Sequence, residues 1–221
     1  MRTAYVTIQF CSREPTPAEL RTDAAVHVLG LVLAPIGGAL LLLDASSRGE
    51  LGAFASIAIY VVCALLMIAC SAAYNMRPHC RHRPLLRRID QAAIFAMIAG
   101  TYTPFTVLGL TGYWSWGLTA IVWSLALLGI TAKLCNWSWP ERLWIPLYLA
   151  ISWLVVVAVD PLSETLPEET LMLIGVGGVI YTVGVVFHLW DRLKFATAVW
   201  HVFVLLGAGA HYAAVASVIS P

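Results

Sequence analysis

The chain has 221 residues, 60% of them hydrophobic and 11% charged, with a formal net charge of +1. Soluble domains are about 45–50% apolar and about 25% charged, so an ordinary soluble domain is excluded. The balanced charge gives no electrostatic case for nucleic acid, and the apolar excess is that of segments solvated by lipid.

Residues 1–23 carry Arg2, Arg13, Arg21, Glu14 and Glu19 and lack an apolar core. They do not read as a cleavable signal, so the first span is expected to act as its own insertion signal. A span needs about 20 mostly apolar residues to cross about 30 Å of hydrocarbon. Seven stretches qualify, over residues 24–43, 51–74, 90–110, 113–132, 143–160, 169–189 and 197–219. Runs this long mean helices, because inside lipid only helices and closed barrels satisfy the backbone. The expected fold is an all-α membrane protein, a seven-transmembrane helix bundle over 24–221 behind a short segment, 1–23. The third and fourth spans are separated by little more than Thr111-Gly112. Pro104, inside the third span, is expected to kink or loosen it. Gly175, Gly177, Gly178 and Gly184 in the sixth span, with Gly207 and Gly209 in the seventh, offer surfaces for close helix packing.

Orientation follows from the cations in alternating loops. Arg2, Arg13, Arg21, Arg77, Arg81, Arg83, Arg87, Arg88, Lys133, Arg142, Arg192 and Lys194 fall on one side. The other side has Arg48 alone, among Asp44, Glu50, Asp160, Glu164, Glu168 and Glu169. The arginine-rich side is expected to be cytoplasmic, with the N-terminus inside and the C-terminus outside. Trp137, Trp139, Trp144, Trp190 and Trp200 lie near the inner boundary, and Trp114 and Trp116 near the outer one, as an interfacial belt requires. The five cysteines show no metal or disulfide spacing, and Cys63 and Cys70 act as small hydrophobes.

This orientation collects the few polar residues at one depth. Ser71 and Asn75 end the second span, Asp90 starts the third, and Thr197 and His201 start the seventh. Within each pair the four-residue spacing gives one helix face, so three helices present a polar layer to one interior point. Plainer roles compete. Ser71 and Thr197 serve as interhelical hydrogen-bond partners, Asn75 as a helix end, and Asp90 as a carboxylate complementing a helix N-terminus. His201, a turn inside its span, points more strongly to function, since intramembrane ionisable groups are functional by default. His27 and His188 border the same layer, and His211, ten residues deeper than His201, reads as packing. The loop residues Arg77, Arg81, Arg83, Arg87 and Arg88 either hold anionic headgroups, at about 1 kcal/mol per cation, or only set topology.

The pieces Ser71-x-x-x-Asn75, Arg88-Ile-Asp90, Ala99-Gly-Thr-Tyr-Thr-Pro-Phe105, Gly177-Gly-Val-Ile-Tyr-Thr-Val-Gly184 and Trp200-His-Val-Phe-Val-Leu-Leu-Gly207 come in an order that resembles the hemolysin III family. His211-Tyr212 and Asp23-x-x-x-His27 also look familial. That family belongs with the progestin and adiponectin receptors and, more distantly, the alkaline ceramidases. The match runs from about residue 18 to the end. The resemblance implies a zinc ion held by one histidine of the second helix and an H-x-x-x-H pair of the seventh, with Ser71 and Asp90 beside it as the candidate catalytic residues. In a ceramidase-like reading the zinc-bound water, its pKa lowered to about 7, attacks a lipid amide.

This chain departs from that pattern. The ligand positions hold Asn75 and Thr197, leaving only His201, and Gln91 follows Asp90 where bacterial relatives often carry histidine. Amide and hydroxyl oxygens are poor zinc ligands beside imidazole, thiolate or carboxylate. The expectation is a degenerate metal site, with His188 or His27 open as substitutes. Three functions follow: a metal-free, non-enzymatic inner-membrane protein that senses or maintains membrane state; a zinc-dependent lipid amide hydrolase with replacement ligands; and a pore or transporter.

Overall fold

The computed structural model describes residues 15–137, 139–140, 143–190 and 192–219. Arg2, Arg13 and Arg142, used above for orientation, and Cys11 lie outside the described residues. The described residues form helices joined by short turns, and no strand occurs among them. Seven helical segments are long and apolar enough to cross a membrane. They are α1 (Pro17–Ser47), α2 (Leu51–Asn75), α3 (Arg83–Leu108), α4 (Gly112–Leu134), a broken fifth segment, α7 (Glu168–His188) and α8 (Ala196–Ile219). The fifth comprises α5 (Trp144–Ser152), a 3-10 turn over Trp153–Ala158 and α6 (Val159–Ser163).

The first helix begins at Pro17, seven residues before the expected boundary at 24. A capping box explains this. The Thr16 hydroxyl accepts from the Glu19 N–H at 3.4 Å, and the Glu19 carboxylate accepts from the Thr16 N–H at 2.8 Å. Such reciprocal bonds satisfy orphan donors at a helix start, and proline at the first position is already set for it. The other Glu19 oxygen accepts from the Phe195 N–H at 2.8 Å, which ties the start of α1 to the entry of α8.

The short break between the third and fourth spans is a turn. α3 ends at Leu108, and Gly112 opens α4 with φ of +55°. A side chain would strain that left-handed backbone, so glycine suits the corner. The helix passes through Pro104 and continues to Leu108.

α3 is the centre of the bundle. Of its apolar window 61% is buried, against 17–39% for the other spans. It packs on α2 and α4 and touches α5 and α8, while α1 packs on α2 and α8, and α7 on α8. Phe95 of α3 is fully buried, with the Tyr148 ring 4.5 Å and the Trp144 ring 6.2 Å away. Close approach of α7 and α8 uses Gly177, Gly184 and Gly207, which face His211, Phe203 and Tyr181; Gly175 and Gly209 face open space instead. Packing thus gathers α1, the end of α2, the start of α3 and the start of α8 at the arginine-rich end.

Candidate functional site

Asp23 and His27 are one turn apart on α1, and both are buried. The four-residue spacing puts them on one face, and that face meets α8. His201 Nδ1 lies 2.5 Å from Asp23 Oδ1, and the two imidazoles pack edge to face with centroids 4.3 Å apart. His27 Nδ1 lies 2.9 Å from the Asp23 carbonyl oxygen. A carbonyl only accepts, so this nitrogen carries the proton. His27 Nε2 is directed at Ser71 of α2, 3.2 Å from its Oγ.

Ser71 connects the two sides of the centre. Asn75 Nδ2 donates to the Ser71 carbonyl at 3.0 Å and to Ser71 Oγ at 3.3 Å. Asp90 of α3 interacts with the Ser71 side chain and lies in the electrostatic field of His201, Arg87 and Asp23. With Asn75 donating, the single Ser71 proton has His27 Nε2 as its acceptor at 3.2 Å, with the Asp90 carboxylate nearby on the other side.

Of the residues singled out from sequence, the structure brings together His27, Ser71, Asn75, Asp90 and His201. Thr197 does not join them. It is exposed, although His201 one turn later is not. His188 is exposed and packs on the Trp200 ring, 5.1 Å between centroids. His211 lies deeper, with Nε2 3.2 Å from the Ile174 carbonyl, as a packing residue. The new member is Asp23. It fell just outside the expected first span, because Glu19, Arg21 and Asp23 lower local hydropathy there. An acid four residues before a histidine at the start of a greasy helix was the available signal.

A family profile described as "Haemolysin-III related" matches residues 21–212. The chain belongs to this family. Among its relatives, "Hemolysin-3" of Bacillus cereus is 35% identical over 186 residues, 84% of this chain and 85% of that protein. The "Hemolysin-3 homolog" of Bacillus subtilis (strain 168) is 35% identical over 190 residues, 86% and 89% of the two chains. The human "Monocyte to macrophage differentiation factor" is 26% identical over 210 residues, 91% and 85% of the two. With seven membrane-crossing helices, this haemolysin-III related chain is a multi-pass membrane protein, consistent with a bacterial inner membrane.

The residues at the two substituted positions of this haemolysin-III protein do not suit the zinc that the resemblance implies. Asn75 directs its amide N–H to Ser71, and Thr197 is exposed. A different set fits better by donor chemistry. Asp23, His27 and His201 are the group of described histidines, cysteines and acids whose potential ligand atoms lie within 4.8 Å of one another. Imidazole and carboxylate are ordinary zinc donors.

Proposed function

We propose that this haemolysin-III family protein senses and maintains the state of its membrane, reading anionic headgroups at its arginine-rich end and passing that contact to the polar centre. The observation that carries this reading is Arg87. It is exposed on the first turns of α3, one turn before Asp90 on the same helix. Residues three apart on a helix are neighbours. Asp90 in turn interacts with Ser71, and Ser71 with His27. A phosphate that engages Arg87 draws its charge from Asp90, whose carboxylate then becomes the stronger acceptor and turns the Ser71 proton away from His27. Arg77, Arg81 and Arg83 are exposed in the same region, and Arg83 lies over the Tyr74 ring at 5.1 Å. Each cation near an anionic surface contributes about 1 kcal/mol. The lysine and arginine bias supports a cytoplasmic setting for this end.

The test is reconstitution in phosphatidylcholine vesicles with and without phosphatidylglycerol. The rate at which diethyl pyrocarbonate modifies His201, followed by mass spectrometry, is expected to change with phosphatidylglycerol in the native chain and not in Arg87→Gln. Equal rates in both lipids for the native chain refute the reading.

A second reading, a lipid amide hydrolase, is favoured by the convergence of Asp23, His27 and His201 beside Ser71 and Asp90. Ceramide hydrolysis that disappears in both Asp90→Ala and His201→Ala supports it, and no hydrolysis by the native chain loaded with zinc excludes it.

A further inference from the structure

We propose that Asp23, His27 and His201 form a divalent transition-metal site that clamps α1 to α8, with a ligand set that uses neither Asn75 nor Thr197. This goes beyond the headgroup-reading role above and does not depend on it.

The donors are of the right kind and in the right surroundings. Two imidazoles and one carboxylate, with side chains 4%, 12% and 7% exposed, sit inside apolar helices. Ionisable groups are rare at such places and need partners. Borderline-soft nitrogen donors with one carboxylate suit zinc, cobalt or nickel, whereas magnesium and calcium take oxygen ligands.

The outer contacts are those of a metal site. A ligating histidine usually donates its other ring N–H to a carbonyl or carboxylate, which fixes the ring. The Asp23 carbonyl holds His27 Nδ1–H in this way and leaves Nε2 as the free lone pair. Among the described residues that lone pair meets a serine hydroxyl, at 3.2 Å. A metal on Nε2 takes the place of that bond, and the Ser71 proton still has Asp90 to go to.

The fit requires little movement. Around tetrahedral zinc with bonds of about 2.0–2.1 Å, donors stand about 3.3 Å apart. One potential ligand atom from each of the three residues already lies within 4.8 Å of the others. Two come from one helix at a fixed four-residue spacing, so closure needs only side-chain rotation, with His201 Nδ1 moving out from its present 2.5 Å contact with Asp23 Oδ1. Charge also balances. A divalent ion with Asp23 leaves one positive charge, and Asp90, which already senses His201 and Asp23, offsets it.

The experiment uses the full chain in detergent, stripped with a chelator and then loaded with zinc or cobalt. Bound zinc is measured by mass spectrometry, and the visible spectrum of the cobalt form reports coordination. The native chain is expected to hold one zinc and to show the intense tetrahedral cobalt bands. Asp23→Asn and His27→Ala are each expected to weaken zinc binding by about tenfold or more, and Thr197→Ala and Asn75→Ala to leave it unchanged. Thermal unfolding of the stripped variants separates a lost ligand from a lost fold. A native chain that folds and holds no zinc overturns the site. So does zinc retained undiminished by a folded Asp23→Asn, His27→Ala double variant, or zinc lost in folded Thr197→Ala. The headgroup test run on chelator-treated protein fails or succeeds separately.

Discussion

Asp23 and His201 are 178 positions apart in the chain, and their side-chain atoms meet at 2.5 Å. The contact joins the first and last of the seven membrane-spanning helices. It is the tightest polar link between α1 and α8 in a region where both side chains are largely shielded.

Removing one side of a buried polar pair leaves the other unsatisfied, at a cost of about 1–3 kcal/mol. Asp23→Ala is therefore expected to lower the thermal unfolding midpoint in detergent clearly. Asn75→Ala, whose partner Ser71 keeps other contacts, is expected to lower it less. Circular dichroism at 222 nm followed against temperature makes the comparison.

Thr197 supplies the contrast. It shares a helix face with His201 by spacing yet is exposed. Thr197→Ala is expected to change stability by no more than about 0.5 kcal/mol, as surface substitutions usually do. The same unfolding measurement, with His201→Ala alongside, checks it.

Gly177 has no room for a side chain. A Cβ there falls 2.4 Å from the His211 ring. Overpacking of this kind costs about 1–3 kcal/mol, so Gly177→Ala is expected to destabilise the α7 and α8 pair. In a His211→Ala background the same change is expected to be nearly neutral. A double-mutant cycle on unfolding midpoints detects the coupling.

Tyr102 closes the break in the fifth span. Its hydroxyl donates towards the Ser152 carbonyl at 2.8 Å and accepts from the Val155 N–H at 2.7 Å. Freed backbone groups at membrane depth must be satisfied from within the protein. Tyr102→Phe leaves them unpaired and is expected to cost about 1–3 kcal/mol. Faster amide exchange confined to residues 152–158, read by hydrogen exchange with mass spectrometry, is the local signature.

Much of this architecture was legible before any coordinates. Seven apolar runs of span length are a property of consecutive residues, and the observed helices follow them, although α3 starts seven residues early at Arg83, so that Arg83, Arg87 and Arg88 are helical and not in the loop. Even the weakest boundary, at Thr111-Gly112, is a turn, because the left-handed glycine there needs no partner elsewhere in the chain. The start of α1 was harder. Glu19 and Asp23 lower hydropathy, yet the Thr16 and Glu19 capping box and the bond from Phe195 carry the helix back to Pro17.

What the sequence alone determined, then, was which residues are helical, which helices are long and apolar enough to cross a membrane and at which end of each the polar groups lie. All of these come from composition and period within one segment. What tertiary structure decided was the direction in which each helix turns its polar face. Spacing put Thr197 and His201 on one face but did not say how far α8 rotates, and packing turned His201 inward and Thr197 outward. The same rotation brought α1 against α8 and made Asp23 and His27 part of the centre. A helix's rotation about its axis is set by its neighbours' side chains, as where His211 fills the space over Gly177, and no single segment contains that information.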